Sequence, residues 1–242
     1  MDEIRRSPRK SRGVRRGATR GVSDSVYRTL RDRICLLHYP PGTVLREETL
    51  AAEFGVSRTP VRQVLQRLEF ERLVETHNGL GTIVSGVDFK SFRDVYEVRC
   101  RVAELIGDMS PRPCSAGDVA LLEQLLSRAE KLKESRDAEE FWHVNHEMQA
   151  CISARIGNET LRWIHDLLYF QTARIWYDLV RDMWEEEVEV LRAEVRDVLM
   201  AFRADDMRAV GYIRRNYISY GMRRISAYLS GKRLSIVSRE EW

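Results

Sequence analysis

The stretch Leu50-Ala-Ala-Glu-Phe-Gly-Val-Ser-Arg-Thr-Pro-Val-Arg-Gln-Val-Leu65 constrains the fold more than any other part of the chain. Leu50, Ala51 and Phe54 share one face of a helix near Glu47–Phe54, and small Ala51 lets a second helix cross closely. Gly55 supplies a left-handed turn without steric cost, and Val56 plugs it. Ser57 is expected to cap a second helix from about Arg58 to Glu71. Pro60 falls in its first turn, where a missing N–H costs nothing. Val61, Leu65 and Leu68 then face inward, leaving Arg58, Thr59 and Arg62 on the outer N-terminal surface.

The flanks complete a unit. Val26, Leu30, Ile34 and Leu37 mark a helix from about Asp24, capped by Ser23 or Asp24 and stopped by Pro40-Pro41-Gly42. Thr43–Leu45 reads as a short extended piece. Leu73–Thr76 and Thr82–Ser85 read as two strands around His77-Asn78-Gly79-Leu80-Gly81, where Asn-Gly supplies positive φ. Three helices and a hairpin in this order make a winged helix-turn-helix.

Such a unit presents the start of its second helix to a major groove. Arginine can grip guanine bidentately, and threonine can reach a phosphate or a thymine methyl. Charge points the same way. Residues 1–22 carry eight basic and two acidic groups, net +6, ahead of a stretch 23–86 that is net 0. A basic, disordered arm at 1–22 before a neutral domain at 23–86 is expected to be drawn to a polyanion.

The rest is helical: amphipathic segments near 90–108, 116–134, 138–155, 159–180, 185–203 and 206–229 form a second domain at 90–230, followed by a polar tail at 231–242. The fold class is therefore mainly α, a winged helix-turn-helix plus an all-helical bundle. With 43% hydrophobic residues among 242, disorder throughout is excluded. No apolar run is long enough for a membrane helix, and the arginine-rich start is no secretory signal. Cys35, Cys100, Cys114 and Cys151 stand far apart, so reduced thiols in a cytoplasm are expected.

Tyr27–Val84 resembles the winged-helix domain of GntR-type bacterial transcription regulators, through Pro-Pro-Gly-Thr-Val-Leu, the stretch quoted above and Gly-Leu-Gly-Thr-Ile-Val. The helical half resembles the FCD ligand-sensing domain of the same family, through Val95-Tyr-Glu-Val-Arg-Cys-Arg-Val, Ile156-Gly-Asn-Glu-Thr-Leu and Val198-Leu-Met-Ala-Phe-Arg-Ala-Asp-Asp. The resemblance implies a homodimer on a palindromic double-stranded DNA operator, usually as a repressor. It implies that Arg58, Thr59 and Arg62 read DNA and that Asn78 and Gly79 at the wing tip enter the minor groove. Glu48 stands where the family often carries a DNA-contacting arginine, so neighbouring Arg46 is the expected substitute.

Many relatives hold a divalent metal through one Asp and three His. The corresponding positions here are Asn145, Gln149, Val195 and Tyr217, a poor donor set, so no metal and no other cofactor is expected. Polar groups interrupting apolar stripes (Arg99, Asn145, Gln149, Arg174 and Tyr217) point instead to a cavity for an effector, a small organic acid that would satisfy the arginines. The bland alternative is internal pairing, as of Arg99 with Glu104 or Arg174 with Asp178. Glu185–Glu187 with Glu189 reads as a solvated helix start. His146-Glu147 lacks the second histidine of a zinc hydrolase motif, and no nucleophile or base constellation marks an enzyme. A constitutive DNA binder without effector is the remaining alternative.

Overall fold

The computed structural model describes the backbone of residues 12–86 and 89–237 and the side chains of residues 21–86 and 92–231. The described chain divides into two compact units: one runs to Ser85 except for Cys35–Leu37, and the other takes those three residues and everything from Gly86.

The first unit contains α1 (Arg12–Cys35), β1 (Val44–Leu45), α2 (Glu47–Phe54), α3 (Arg58–Phe70), β2 (Val74–His77) and β3 (Gly81–Val84). The strands pair antiparallel in the order β1-β3-β2, with Ile83 opposite both Val44 and Glu75. Val26, Leu30, Ile34, Leu50, Ala51, Val61, Val64, Leu65, Leu68, Leu73 and Val84 are buried. They come from all three helices and the hairpin, so the apolar faces expected from periodicity meet in one core.

The α2–α3 turn closes as a Schellman motif. Gly55 sits at φ +61°, its N–H reaches Ala52 O at 3.4 Å, and the Val56 N–H reaches Ala51 O at 3.0 Å. Three details depart from the sequence reading. Ser57 takes the extended N-cap backbone, but its hydroxyl makes no cap hydrogen bond. α1 begins at Arg12, within the stretch read as a disordered arm, because no proline interrupts residues 12–35; the remaining arm residues, 1–11, lie outside the described residues. It also ends at Cys35, with Leu37 beyond it in the left-handed region at φ +59°.

The second unit contains α4 (Phe89–Glu104), α5 (Ala116–Ser135), α6 (Ala138–Arg155), α7 (Glu159–Val180), α8 (Trp184–Arg203) and α9 (Met207–Val237). Caps written in the sequence start three of them: Ser115 and Asp118 form a capping box on α5, Asp137 accepts from the Glu139 and Glu140 N–H groups, and Asn158 accepts from Leu161 N–H at 3.0 Å. α4 packs on α7 and α9, α5 on α6 and α8, and α8 on α9. A Cβ on Gly107 would lie 2.3 Å from the backbone of Arg208, so only glycine lets the chain after α4 touch the start of α9. α4 stops at Glu104 rather than near 108, and α9 runs on to Val237 through residues read as tail. Residues 238–242 of that tail lie outside the described residues.

Candidate functional site

Two surfaces concentrate the candidate residues, one in each unit. In the first, Arg58, Thr59 and Arg62 stand exposed on the opening turns of α3. The arginines are not solvated alone. The Arg62 Nε and Nη2 groups donate to Glu47 Oε1 and Oε2 at 2.8 and 2.7 Å, and Arg58 Nη2 donates to Glu48 Oε1. Both acids sit in the first turn of α2, where the helix dipole favours them. The Arg62 guanidinium holds the Glu47 carboxyl below the usual carboxylate range. Arg46 is exposed at the N-cap position of α2.

At the hairpin tip Asn78 and Gly79 are exposed, as expected. The turn differs in kind, however. Leu80 N–H donates to His77 O at 3.1 Å and Gly79 takes φ +82°, whereas Asn78 is not in the left-handed region. One glycine therefore supplies the conformation expected of the Asn-Gly pair, in the manner of a type II turn. Leu80 is left 66% exposed beside it, a tip residue the sequence reading did not single out.

In the second unit, Arg99, Asn145 and Tyr217 line a cavity of about 70 Å³ with Tyr96, Thr172, Trp176, Glu187, Glu194, Arg214 and Arg224 among its walls. A water needs about 10–15 Å³ on this scale, so the space admits a small molecule. Arg99 is 8% exposed. Its Nη1 donates to Thr172 Oγ1 at 2.6 Å, and its guanidinium lies 5.2 Å from the Tyr96 ring centre and 5.8 Å from that of Tyr169. Among the described residues no carboxylate pairs with it, so the internal pairing with Glu104 does not form; Glu104 pairs with Arg101 and Arg215 instead. Burial pushes the Arg99 pKa down, and the Arg214 charge adds to that.

The other buried ions of the cavity are matched. Arg214 pairs with Glu194 through Nη1, and its Nη2 donates to Gln149 Oε1 at 2.8 Å. The Arg214 Nε is buried with no hydrogen-bond partner among the described residues. Arg224 grips Glu187 at 2.7 and 3.2 Å. Glu187 is thus a buried cavity residue, which corrects its reading as part of a solvated helix start; Glu185 and Glu189, on other faces of α8, do pair at the surface. Three guanidinium groups face two carboxylates, leaving one positive charge in excess.

Gln149 stands behind the cavity wall rather than in it. Its amide N faces the His165 ring nitrogens at 3.1 and 3.2 Å, and His165 Nδ1 lies 3.2 Å from Asp166 Oδ1. A neutral ring donating from Nδ1 and accepting at Nε2 satisfies both neighbours, and burial lowers the His165 pKa accordingly. Arg174 is the candidate the cavity leaves out: it donates from Nη2 to Gly86 O at 3.2 Å. Tyr169, Thr172, Ala173 and Trp176 recur at helical spacing on the cavity face of α7, and Arg174 falls off that face. Tyr217 donates to Asp197 Oδ2 at 2.8 Å, and Asn145 lies 3.4 Å from the Tyr169 hydroxyl.

Sequence reasoning missed Arg214, Glu194, Glu187, Arg224 and Thr172. A signal existed for Arg214, which lies one turn before Tyr217 on α9. The four positions at which relatives hold metal do not suit a divalent ion. Val195 has no lone pair to give, the Gln149 carbonyl is taken by Arg214, and the Tyr217 hydroxyl is engaged by Asp197. Among the described residues no three His, Cys, Asp or Glu side chains gather as a metal cluster. His146 is stacked 5.4 Å from the Trp142 ring and 5.8 Å from that of Tyr169.

A winged helix-turn-helix with an outward recognition helix, joined in one chain to a helical unit with a charged cavity, defines the class of ligand-sensing DNA-binding regulators. Comparison with known proteins gives the family. Residues 22–84 match the profile "Bacterial regulatory proteins, gntR family" and residues 94–219 match the FCD domain, so the chain belongs to the GntR family and carries an FCD domain. The gluconate operon transcriptional repressor of Bacillus subtilis is 41% identical over 29% of this chain and 28% of its own length. An uncharacterized HTH-type regulator from an unstable DNA locus of Streptomyces ambofaciens is 33% identical over 48% of this chain and 49% of its own. The chain thus spans half or less of these curated relatives. The HTH-type transcriptional repressor RspR of Escherichia coli is 24% identical over 79% of this chain and 83% of its own. In fold, the chain is similar to the solved structure of E. coli McbR/YncC, with TM-score 0.70 and 21% identity over 87% of this chain and 98% of that one. The families and relatives are transcription regulators, not enzymes. Among the described residues no helix is long and apolar enough to cross a membrane.

Proposed function

We propose that the protein is a repressor that binds a palindromic operator as a homodimer and changes its DNA affinity when a small monocarboxylate enters the helical cavity. Arg58, Thr59 and Arg62 read the major groove, Asn78 and Gly79 follow the minor groove, and Arg46 anchors a phosphate. The repressor names of the B. subtilis and E. coli relatives support the sign of regulation.

The observation that carries the effector reading is Arg99, a buried guanidinium with no acid partner among the described residues. A buried cation is costly unless matched. One carboxylate against Arg99 and Thr172, within reach of the unpartnered Arg214 Nε–H, would neutralise the single excess charge. The aromatic walls of Tyr96 and Trp176 would receive its carbon body. Asn145 and Tyr217 would meet its remaining polar atoms.

A thermal-shift panel of small monocarboxylates, dicarboxylates and the corresponding amides, on the full chain and on Arg99→Met, tests this. One or more monocarboxylates should raise the unfolding midpoint, by about 2.7 kcal/mol of stabilisation at a hundredfold excess over Kd. The amides and the variant should show no shift. A protein indifferent to every acid, and holding DNA equally in their presence, would be a constitutive binder instead.

A further inference from the structure

The two acids at the start of α2 are unexpected on a face meant for DNA. A carboxylate repels phosphate, and together Glu47 and Glu48 cancel the charge of Arg62 and Arg58. The geometry of the Arg62 pair resolves the conflict. Glu47 takes the guanidinium side-on, through Nε and Nη2. A guanidinium has five N–H donors in a fixed plane, so the end-on edge formed by Nη1 and Nη2 keeps donors that a guanine O6 and N7 can accept.

We infer that Glu47 is a positioning residue for DNA reading: it braces Arg62 side-on so that its end-on edge meets guanine, while withdrawing charge from the phosphates of non-cognate DNA. Glu48 meets Arg58 through Nη2 alone, which does not fix the plane of the guanidinium, so the bracing is confined to Arg62. The inference rests on the reading that Arg62 contacts DNA. It adds that specificity here comes as much from α2 as from α3. An unbraced arginine on an exposed turn samples many rotamers and takes any phosphate in reach. A braced one has already lost that freedom and has less net charge to offer, so it gains on guanine and loses on the backbone.

The consequence is a pair of opposite effects, which a merely structural acid would not produce. The probes are a duplex recovered by the wild-type full chain from a random-sequence pool, and an unrelated duplex of equal length, each titrated across a range of KCl. Glu47→Gln should weaken binding to the selected duplex about fivefold or more. It should tighten binding to the unrelated duplex and steepen its salt dependence by up to about 0.9 in log–log slope, one further phosphate contact. Arg62→Ala should erase the preference for one guanine in the selected site, and adding Glu47→Gln to it should cost nothing more on that site. Glu47→Asp, which keeps the charge but shortens the reach, should behave like Gln on the selected duplex and like wild type on the unrelated one. If Arg62→Ala leaves the selected duplex bound as before, the assignment of Arg62 to DNA falls, and the inference with it. If Arg62→Ala weakens it but Glu47→Gln changes both duplexes in the same direction or neither, the assignment stands and the bracing role is overturned.

Discussion

The two units treat their arginines in opposite ways. On α3 of the winged unit, Arg58 and Arg62 are exposed yet each is held by a carboxylate. In the helical unit Arg99 is buried and, among the described residues, no carboxylate forms an ion pair with it, although the Glu194 charge acts on it across the cavity. Exposed ion pairs contribute little to stability, so the winged unit does not depend on its pairs to stay folded. A buried cation without an ion-pair partner costs stability. One arrangement is close to neutral for the fold, the other a cost to it.

The sharpest way to break this contrast is to make a matched buried ion unmatched. Glu194→Ala strands Arg214, and should lower the unfolding free energy by about 3–5 kcal/mol, measured by denaturant titration. Arg99→Met does the reverse: replacing an unmatched buried cation by an apolar side chain of similar length should raise it by about 1–4 kcal/mol, while abolishing the response to acids in the same preparation. A loss of stability in Arg99→Met would mean that Arg99 is already satisfied internally. On the winged unit, Arg62→Ala should leave the melting temperature nearly unchanged, yet weaken the selected duplex roughly 5- to 150-fold in a fluorescence titration.

The smallest effect concerns protons. Burial lowers the His165 pKa in the folded protein, whereas in the unfolded chain it titrates at the ordinary histidine value of about 6.5. Below that pH the unfolded state binds the extra proton, so stability is complete above 6.5 and falls as the pH drops toward the lowered value. The slope should reach at most about 1.4 kcal/mol per pH unit. His165→Gln should remove the part of the stability loss that sets in just below about pH 6.5.

The same contrast explains what the sequence made legible. The winged unit is specified locally: Gly55, Val56 and Pro60 each act within a few residues, so helix ends, turn and outward arginines could be read directly. What escaped there was also local but finer, namely the idle Ser57 hydroxyl and the single-glycine turn at Gly79. In the helical unit, the helices were legible from apolar periodicity, and Arg99, Asn145 and Tyr217 from breaks in apolar stripes. A break in a stripe does not say on which side of the helix the group ends. Arg174 was misplaced for that reason. Arg214 and Glu194 are partners 20 residues apart on neighbouring helices, and Arg224 and Glu187 are 37 apart. Such pairs are made by packing, and no spacing along the chain announces them.

The cavity walls come from α4, α6, α7, α8 and α9, every helix of their unit but α5. A molecule lodged there is therefore judged from five directions at once. Enlarging it by a methyl group could not be absorbed by one yielding segment, since each neighbour is already wedged against another. The size tolerance of this cavity should accordingly be narrow, and a misfitting visitor should be felt as a loosening of the entire bundle rather than a local bruise.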